Sequence, residues 1–328
     1  MPASLSGGRP DASRHDHASV PDRAYRRNRP RWKGETVSDR PTIAVLGTGI
    51  MGSPIASQLI DHGFDVRVWN RTADKTRPLA DRGATVAATP AAAADSADVV
   101  LTMLANGQIV QEVMAGERGA LAAMPPAAIW LQMSTVGVAA SADLAALAEQ
   151  AGVGYVDCPV LGTRQPAEQG TLVVLESGPA ELSDRCRPVF EAIGSRVIRV
   201  GSAGAASRLK MVCNNWVLAI TNATAESVAL AGALDVDPNL LLDAMRGGNL
   251  DCQYLHIKAR DMIDEDYRLS FAANLAAKDA RLILDACGDR ADLAGTRAAL
   301  NHLDRTRELG HGEQDMGALY EAVREQRP

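Results

Sequence analysis

The chain has 328 residues, of which 46% are hydrophobic, and a formal net charge of −6. This length predicts two domains, the composition is typical of a soluble enzyme, and no apolar run is long enough for a membrane span, so we expect no membrane partner. The five cysteines are scattered without a CxxC spacing, which indicates reduced thiols and predicts a cytoplasmic protein with no metal site.

Residues 1–40 differ in composition from the rest of the chain. They are rich in Arg, Pro, Ser, Gly and Asp, and they contain nine Lys and Arg against five Asp and Glu. Such segments do not bury enough apolar surface to fold, and no hydrophobic h-region marks a secretory signal. We predict a disordered basic tail over 1–40. Because charge runs are usually solvated, we expect no nucleic-acid partner.

The first predicted strand is the apolar segment Thr42–Leu46, which meets a GxGxxG turn at 47–52. Apolar residues at helical spacing follow over 55–60, and this order is the context that the dinucleotide-binding fingerprint requires. Its glycines permit a tight turn, close approach of a pyrophosphate and close packing of helix and strand. The helix N-terminus adds free N–H groups for the phosphates. The predicted cofactor-binding residues are Gly47, Thr48, Gly49, Ile50, Met51 and Gly52.

The second predicted strand, 64–69, decides which dinucleotide binds. In NAD-binding proteins an Asp or Glu about 20 residues after the glycines accepts hydrogen bonds from the ribose 2′-hydroxyl. Here the strand is followed by Asn70, Arg71 and Thr72, so no carboxylate repels a 2′-phosphate and a guanidinium can pair with it. We predict NADP(H) rather than NAD(H), bound through these three residues. The alternative is that Arg71 is solvated and Asn70 alone binds the ribose.

Strand and helix patterns continue to alternate up to residue 200. Further strands are predicted at 98–104, 128–133, 154–160, 171–176 and 196–200. This alternation predicts a largely parallel sheet with helices on both faces. Because ligands bind at the carboxyl ends of parallel strands, Met103 and Leu104 are predicted to line the cofactor cleft. Ser134 or Thr135 is predicted to hydrogen-bond the nicotinamide or the substrate, although a helix N-cap is also compatible with one of them.

From Ala203 onwards no strand-like run appears. Apolar residues at helical spacing predict one long helix that ends near Leu234, and further helices are predicted at 238–245, 254–262, 272–286 and 316–323. The predicted fold is therefore an α/β Rossmann dinucleotide-binding domain over 41–201 followed by an all-α domain over 202–328, with a long helix joining them.

Lys210 and Asn214 lie four residues apart on the long predicted helix, so both point from one face. The neighbours of Lys210 are Leu209, Met211 and Val212, and this apolar setting favours a partly buried amine. A buried charge is costly, and a desolvated lysine shifts its pKa readily. Beside a dinucleotide such a lysine suits proton transfer. A solvated surface lysine is the alternative.

Taken together, the motifs resemble those of the β-hydroxyacid dehydrogenase family. This family includes 3-hydroxyisobutyrate dehydrogenases, tartronate semialdehyde reductases and NADPH-dependent glyoxylate/succinic semialdehyde reductases. The resemblance spans 41–328 almost end to end. The matching segments are GTGIMGSPIASQLI at 47–60, NRT at 70–72, Met103-Leu104, Ser134-Thr135, DCPVLGTRQPAEQGTL at 157–172, residues 204–215, and 271–279, which ends in Lys278-Asp279.

The resemblance implies hydride transfer between NADP(H) and a small hydroxy acid, semialdehyde or keto acid. It implies that Lys210 is the general acid/base that protonates the carbonyl oxygen during reduction and that Asn214 orients the substrate. The loop Gly162-Thr163 would bind the substrate carboxylate, and Thr135 and Lys278 would contact the cofactor near the nicotinamide. Relatives commonly dimerise through the helical domain, so we expect a homodimer or a higher homo-oligomer.

One position departs from the family pattern. Relatives that act on small hydroxy acids usually read Ser-Gly-Gly where this chain has Leu161-Gly162-Thr163, and leucine has no hydroxyl for the substrate carboxylate. Either Thr163 supplies a hydroxyl nearby or the site accepts a less polar substrate. Two other functions stay open: an imine reductase, although such enzymes generally lack the lysine, and a non-catalytic NADP-binding scaffold, which the basic tail alone suggests.

Overall fold

The computed structural model describes residues 41–324, and the predicted basic tail, 1–40, lies outside the described residues. In this part of the chain one sheet contains β1 (Thr42–Leu46), β2 (Asp65–Trp69), β3 (Thr85–Val86), β4 (Val99–Thr102), β5 (Ile129–Gln132), β6 (Gly154–Asp157), β7 (Val160–Leu161), β8 (Leu172–Ser177) and β9 (Gly194–Gly201). The helices between them are α1 (Gly52–Asp61), α2 (Arg77–Ala80), α3 (Pro90–Ala94), α4 (Gly107–Ala115), α5 (Val138–Gln150), α6 (Arg164–Glu168) and α7 (Ala180–Ile193).

Six parallel strands, in the order β3-β2-β1-β4-β5-β6, form most of the sheet. Because helices cover both faces of such a sheet, its central strands β1, β4 and β5 are buried along almost their whole length. Ile43 and Val45 of β1 belong to the core that includes α1 and α7, whereas Ala44 and Leu46 belong to the core that includes α3, α4 and α5. The predicted Rossmann-type sheet with helices on both faces is thereby confirmed.

The predicted strand 154–160 is interrupted in the structure. Cys158 and Pro159 separate β6 from β7, because proline has no N–H to donate to the strand ladder. The antiparallel pairing with β8 nevertheless keeps one register, with Asp157 opposite Ser177 and Val160 opposite Val174. Beyond β8, β9 pairs with it in parallel. The interruption leaves Asp157 and Val160 on either side of the break, where both contact the helix Ala205–Ala233.

The second half of the described chain is helical, as predicted. Its helices are α8 (Ala205–Ala233), α9 (Asn239–Met245), α10 (Gln253–Ile263), α11 (Ala273–Cys287), α12 (Ala294–Glu308) and α13 (Tyr320–Val323). The first turns of α8 contact β8 and β9, and its later turns pack on α10, α11 and α12. This helix therefore joins the sheet to the helical half. Within residues 41–324, no helix combines the length and the hydropathy needed to cross a bilayer.

Helix α12 has no counterpart among the predicted elements. The residues that it buries follow helical spacing and are Thr296, Ala299, Leu303 and Thr306. Two of these four are threonines whose hydroxyls find partners: Thr306 donates to the carbonyl of His302 (2.8 Å), and Thr296 donates to Asn215 of α8. Hydrophobic periodicity does not detect a helix whose contacts are made mainly by small side chains and hydroxyl groups.

Two leucines at the end of α12 provide a test of this packing. Leu303 is fully buried, so Leu303→Ala should lower the free energy of unfolding by about 2–5 kcal/mol. Leu309 is 37% exposed, and Leu309→Ala should change it by less than about 1 kcal/mol. Urea unfolding followed by circular dichroism measures both values. Equal effects of the two substitutions would contradict the described position of α12.

Candidate active site

The glycine turn joins β1 to α1. Gly47 has a φ of +104°, a left-handed conformation that favours glycine, and its N–H donates to the carbonyl of Trp69 (2.9 Å). Within residues 41–324 the N–H groups of Gly49, Ile50 and Met51 have no hydrogen-bond partner. They lie just before the first turn of α1, where free N–H groups and the helix dipole favour a phosphate.

Asn70 holds this turn against the end of β2. Its Oδ1 accepts the N–H of Thr48 (3.1 Å), and its Nδ2 donates to the carbonyl of Thr72 (2.9 Å). Thr48 is buried, and its hydroxyl donates to the carbonyl of Lys75 (3.3 Å). The side chains of Asn70 and Thr48 are thus engaged with the protein itself, whereas Arg71 and Thr72 are exposed.

A cleft of about 590 Å³ opens beside the glycine turn. The predicted cofactor residues that line it are Gly47, Gly49, Asn70, Arg71, Thr72, Met103 and Leu104. A Cβ at Gly49 would meet no atom within 4 Å, so the space above the turn is open, as the approach of a pyrophosphate requires. The volume is in the range of small-molecule sites. The open turn, its free N–H groups and this cleft fit a nicotinamide dinucleotide.

Ser134 lies at the end of β5 with its hydroxyl engaged by the backbone. Its side chain is fully buried, accepts the N–H of Leu104 (2.9 Å) and donates to the carbonyl of Thr102 (3.2 Å). It does not cap the following helix either, because α5 begins at Val138 after Gly137. Ser134 therefore ties the end of β4 to the end of β5, and its role toward a substrate or the nicotinamide stays a prediction.

Lys278 of α11 connects the helical half to the same strand ends. Its ammonium donates to the carbonyls of Ala105 (3.0 Å) and Thr135 (2.7 Å) and lies 2.9 Å from Oδ1 of Asp279. Thr135 is half-buried and contributes its backbone carbonyl to this contact. The structure therefore brings the two predicted nicotinamide-side residues, Thr135 and Lys278, into direct contact.

Lys210 and Asn214 lie one turn apart on α8. Nζ of Lys210 donates to the carbonyl of Val160 at the start of β7 (2.7 Å). The side chain of Asn214 is buried, and its Nδ2 donates to Oδ2 of Asp279 (2.6 Å). Asp279, itself buried, thus lies between the amide of Asn214 and the ammonium of Lys278. We call Lys210, Asn214, Lys278 and Asp279 the lysine cluster.

The surroundings of Lys210 shift its protonation. Burial lowers the pKa of Lys210 below that of an ordinary lysine. The carboxylate of Asp279 and the thiol of Cys213 act in the opposite direction, and the second ammonium, on Lys278, adds to the lowering. The net direction is downward, which brings the pKa closer to the pH at which a general acid/base works best.

No role was predicted for Asp279 from the sequence, although it is the last residue of the matching segment 271–279. Its signal was a carboxylate next to a lysine on an otherwise largely apolar helix. Its partner Asn214 lies 65 positions earlier in the chain, and no periodicity relates residues so far apart. Only the packing of α8 against α11 places Asp279 between the amide of Asn214 and the ammonium of Lys278.

The loop after β7 carries the predicted substrate residues. Gly162 has a φ of +115°, and a Cβ there would lie 2.8 Å from the side chain of Leu172 and 2.9 Å from that of Pro166. Thr163 is half-buried at the N-cap of α6, and within residues 41–324 its hydroxyl has no hydrogen-bond partner. Leu161, also half-buried, precedes them. The loop thus offers one unengaged hydroxyl beside the carbonyl that Lys210 contacts.

Comparison with known proteins agrees with this architecture. Residues 42–201 match the family model described as the NAD binding domain of 6-phosphogluconate dehydrogenase, and residues 204–323 match the model described as NAD-binding of NADP-dependent 3-hydroxyisobutyrate dehydrogenase. Over 288 residues the chain is 33% identical to 3-sulfolactaldehyde reductase of Escherichia coli, covering 86% of this chain and 95% of that protein. Over 284 residues it is 30% identical to the chloroplastic glyoxylate/succinic semialdehyde reductase 2 of Arabidopsis thaliana, covering 86% and 79%.

Solved structures share the same fold. The 3-hydroxyisobutyrate dehydrogenase of Mycobacterium tuberculosis, solved with L-serine, superposes with a TM-score of 0.78 at 28% identity, covering 87% of this chain and all of that one. An imine reductase from a Pseudomonas species has a TM-score of 0.56 at 20% identity over 87% of this chain and all of that one, a likeness of fold alone. A Rossmann sheet with this glycine turn and an appended helical domain defines an NAD(P)-dependent oxidoreductase. The chain belongs to the β-hydroxyacid dehydrogenase family.

Two glycine substitutions should separate dinucleotide binding from folding. A Cβ at Gly52 would collide with the carbonyl oxygen of Gly47, so Gly52→Ala should lower both the Tm and the affinity for NAD(P)H. Gly49→Ala meets no protein atom and should leave the Tm of the cofactor-free protein within about 2 °C of wild type. Its affinity should nevertheless fall at least about tenfold, because the methyl group occupies the space left for the pyrophosphate.

Thermal unfolding and titration of NAD(P)H fluorescence measure the two effects. Wild-type affinity in Gly49→Ala would contradict the position inferred for the pyrophosphate.

Proposed function

We propose that this protein transfers hydride between NADP(H) and a small hydroxy acid, semialdehyde or keto acid, with Lys210 as general acid/base and Asn214 orienting the substrate. The observation that carries this proposal is the lysine cluster, in which α8 and α11 bring two lysines, an amide and a carboxylate to the strand ends beside the glycine turn. Membership of the β-hydroxyacid dehydrogenase family supports the same reaction class.

The residues of the chain bind, orient and transfer a proton in this proposal. A bound nicotinamide supplies the hydride chemistry. During reduction the ammonium of Lys210 donates a proton to the carbonyl oxygen of the substrate and stabilises the negative charge that develops there. One of its three N–H donors is engaged by Val160, which leaves two for the substrate. Asn214, held through Nδ2 by Asp279, presents Oδ1 as an acceptor for a substrate hydroxyl.

Substitution of Lys210 tests its role. In wild type, kcat/KM for reduction should fall as the pH rises through the pKa of Lys210, because only the ammonium donates a proton. The midpoint of this decrease should lie below 10.5, the pKa of an ordinary lysine, since burial lowers the pKa of Lys210. In the oxidation direction the activity should instead rise with pH through the same pKa. Lys210→Met should reduce kcat by about 10²- to 10⁴-fold.

The measurement is NADPH oxidation, followed by nicotinamide absorbance, with glyoxylate, succinic semialdehyde, tartronate semialdehyde and methylmalonate semialdehyde. Lys210→Arg is the matched control, because arginine keeps the positive charge but does not release a proton at these pH values. An arginine variant with wild-type kcat would show that charge suffices and would reject proton transfer by Lys210.

NADP(H) is the proposed cofactor, and NAD(H) is the less favoured one. Arg71 and Thr72 line the cleft and are exposed, and Arg71 has no carboxylate partner within residues 41–324. Lys75 and Arg118 line the same cleft, as do Glu112 and Glu117. The three cationic side chains, Arg71, Lys75 and Arg118, support binding of a 2′-phosphate, which a ribose hydroxyl does not require.

Arg71→Ala should therefore change the choice of cofactor. Loss of a charge-assisted hydrogen bond to phosphate is worth about 1.5–3 kcal/mol, so the KM for NADPH should rise about 10- to 100-fold. The KM for NADH should stay within about twofold of wild type, because NADH has no 2′-phosphate. Arg77→Ala is the control, since Arg77 pairs with Asp74 and does not line the cleft. Equal effects on both cofactors would reject the proposed contact.

The substrate is proposed to bear a small anionic group beside its carbonyl. The relatives named above act, by their names, on 3-sulfolactaldehyde and on glyoxylate or succinic semialdehyde. In this chain Thr163, whose hydroxyl has no partner in the described part of the structure, is proposed to replace the serine hydroxyl that Leu161 lacks. The imine reductase and scaffold alternatives are not favoured, because the complete lysine cluster suits proton transfer to oxygen.

A second copy of this chain is the proposed partner. Three large apolar residues on one side of α8 and one at its C-cap are more than half exposed; they are Val212, Trp216 and Leu230, followed by Leu234. Contact with an identical helix would remove this apolar surface from water. The homo-oligomer is therefore a proposal, and a cytoplasmic location stays a prediction from the scattered cysteines.

A further inference from the structure

We propose that Asp157 is a positioning residue that holds Lys210 in the lysine cluster by fixing the first turn of α8 against the carboxyl end of β6. The inference rests on the proposed function of Lys210 and extends it to a residue that contacts neither cofactor nor substrate. Asp157 is the last residue of β6 and is completely buried.

Both carboxylate oxygens of Asp157 bind the beginning of α8. Oδ1 accepts the hydroxyl of Ser207 (2.7 Å), and Oδ2 accepts the N–H of the same residue (2.8 Å). Ser177 of β8 donates its hydroxyl to Oδ2 (3.2 Å) and accepts the N–H of Ala206 (3.0 Å). The first turn of a helix has N–H groups without partners inside the helix. Here β6 and β8 together satisfy two of them.

The contact of Lys210 repeats this arrangement one turn further along. Asp157 binds Ser207, and Val160, three residues after Asp157, accepts Nζ of Lys210 (2.7 Å), three residues after Ser207. Both contacts join residues that are 50 positions apart. Two attachment points at matching spacing hold a segment against rotation as well as against sliding. The direction of the Lys210 side chain is therefore determined by the anchor at Asp157.

The contact stabilises both the carboxylate of Asp157 and the first turn of α8. The pKa of Asp157 is raised on balance, because burial outweighs the lowering by the hydrogen bonds from Ser207 and Ser177 and by the charge of Arg208. A buried carboxylate without such donors is strongly disfavoured, and the positive end of a helix dipole favours a negative charge at this position. Displacement of α8 would thus leave a buried charge without partners, so the helix and the strand end stay together.

Variants of Asp157 distinguish positioning from mere stabilisation. Asp157→Ala removes both acceptors. It should lower kcat of reduction by about 10- to 100-fold, the effect expected of a reacting group displaced by about 1 Å, while the KM for NADPH stays within about twofold. Asp157→Asn keeps the shape and one acceptor oxygen, and it should restore most of the kcat. Leu303→Ala is the control for lost stability, because Leu303 is a buried side chain of α12, a helix that carries no residue of the lysine cluster.

A second readout does not depend on activity. The pH dependence of amine acylation at Lys210, followed by mass spectrometry of the folded protein, reports the pKa of this amine directly. In Asp157→Ala the midpoint should move to higher pH, because water reaches an amine that burial otherwise holds below the ordinary lysine pKa. In Asp157→Asn it should stay near wild type, and in Leu303→Ala it should not move.

The outcomes separate this inference from the proposed function. Wild-type kcat and an unchanged acylation midpoint in Asp157→Ala would overturn the positioning role. So would a kcat loss that Leu303→Ala reproduces at equal loss of stability. If Lys210→Met were fully active, the proposed function would fail, and the acylation midpoint would still decide whether Asp157 positions Lys210.

Discussion

The first turn of α8 rests on a sheet edge that a proline interrupts, and the geometry of the site depends on this contact. Strand β6 ends at Asp157, Pro159 breaks the ladder, and β7 resumes the pairing with β8 in the same register. At this break the carboxylate of Asp157 accepts hydrogen bonds from Ser207 of α8, and the carbonyl of Val160 accepts one from Lys210. This contact adds polar attachment points at the first turn of α8 to the packing of its later turns on α10, α11 and α12.

The lysine cluster shows how two positive charges are kept close together between the strand ends and the helical half. Lys278 is stabilised by two carbonyls and a carboxylate. Among residues 41–324, Lys210 has one hydrogen-bond partner, the carbonyl of Val160, and burial lowers its pKa. The same carboxylate, on Asp279, holds Asn214. The charge of Lys278 is thus balanced by several oxygen atoms, and this residue joins the two halves. The charge of Lys210 has fewer partners, so its amine is the one suited to exchange a proton in the proposed reaction.

Prediction from the sequence was most successful where a residue acts within its own segment. The strands β1, β2, β4, β5 and β8 and the long helix α8 were found within a few residues, because apolar runs and helical periodicity are local properties. The glycine turn was recognised for the same reason, since its three glycines act within one strand, turn and helix. Helix α12 was missed because threonine and alanine make most of its buried contacts.

The sequence by itself determined the order of the elements, the dinucleotide-binding turn and the presence of a lysine and an asparagine on one helical face, because these depend on spacing along the chain. Tertiary structure alone decided what the polar side chains do. Ser134 follows a strand end, as a substrate ligand would, yet its hydroxyl ties two strand ends together. Asp279 and Asp157 find their partners 65 and 50 positions away. A buried polar group must find partners wherever the fold brings them, and no local pattern specifies which ones these will be.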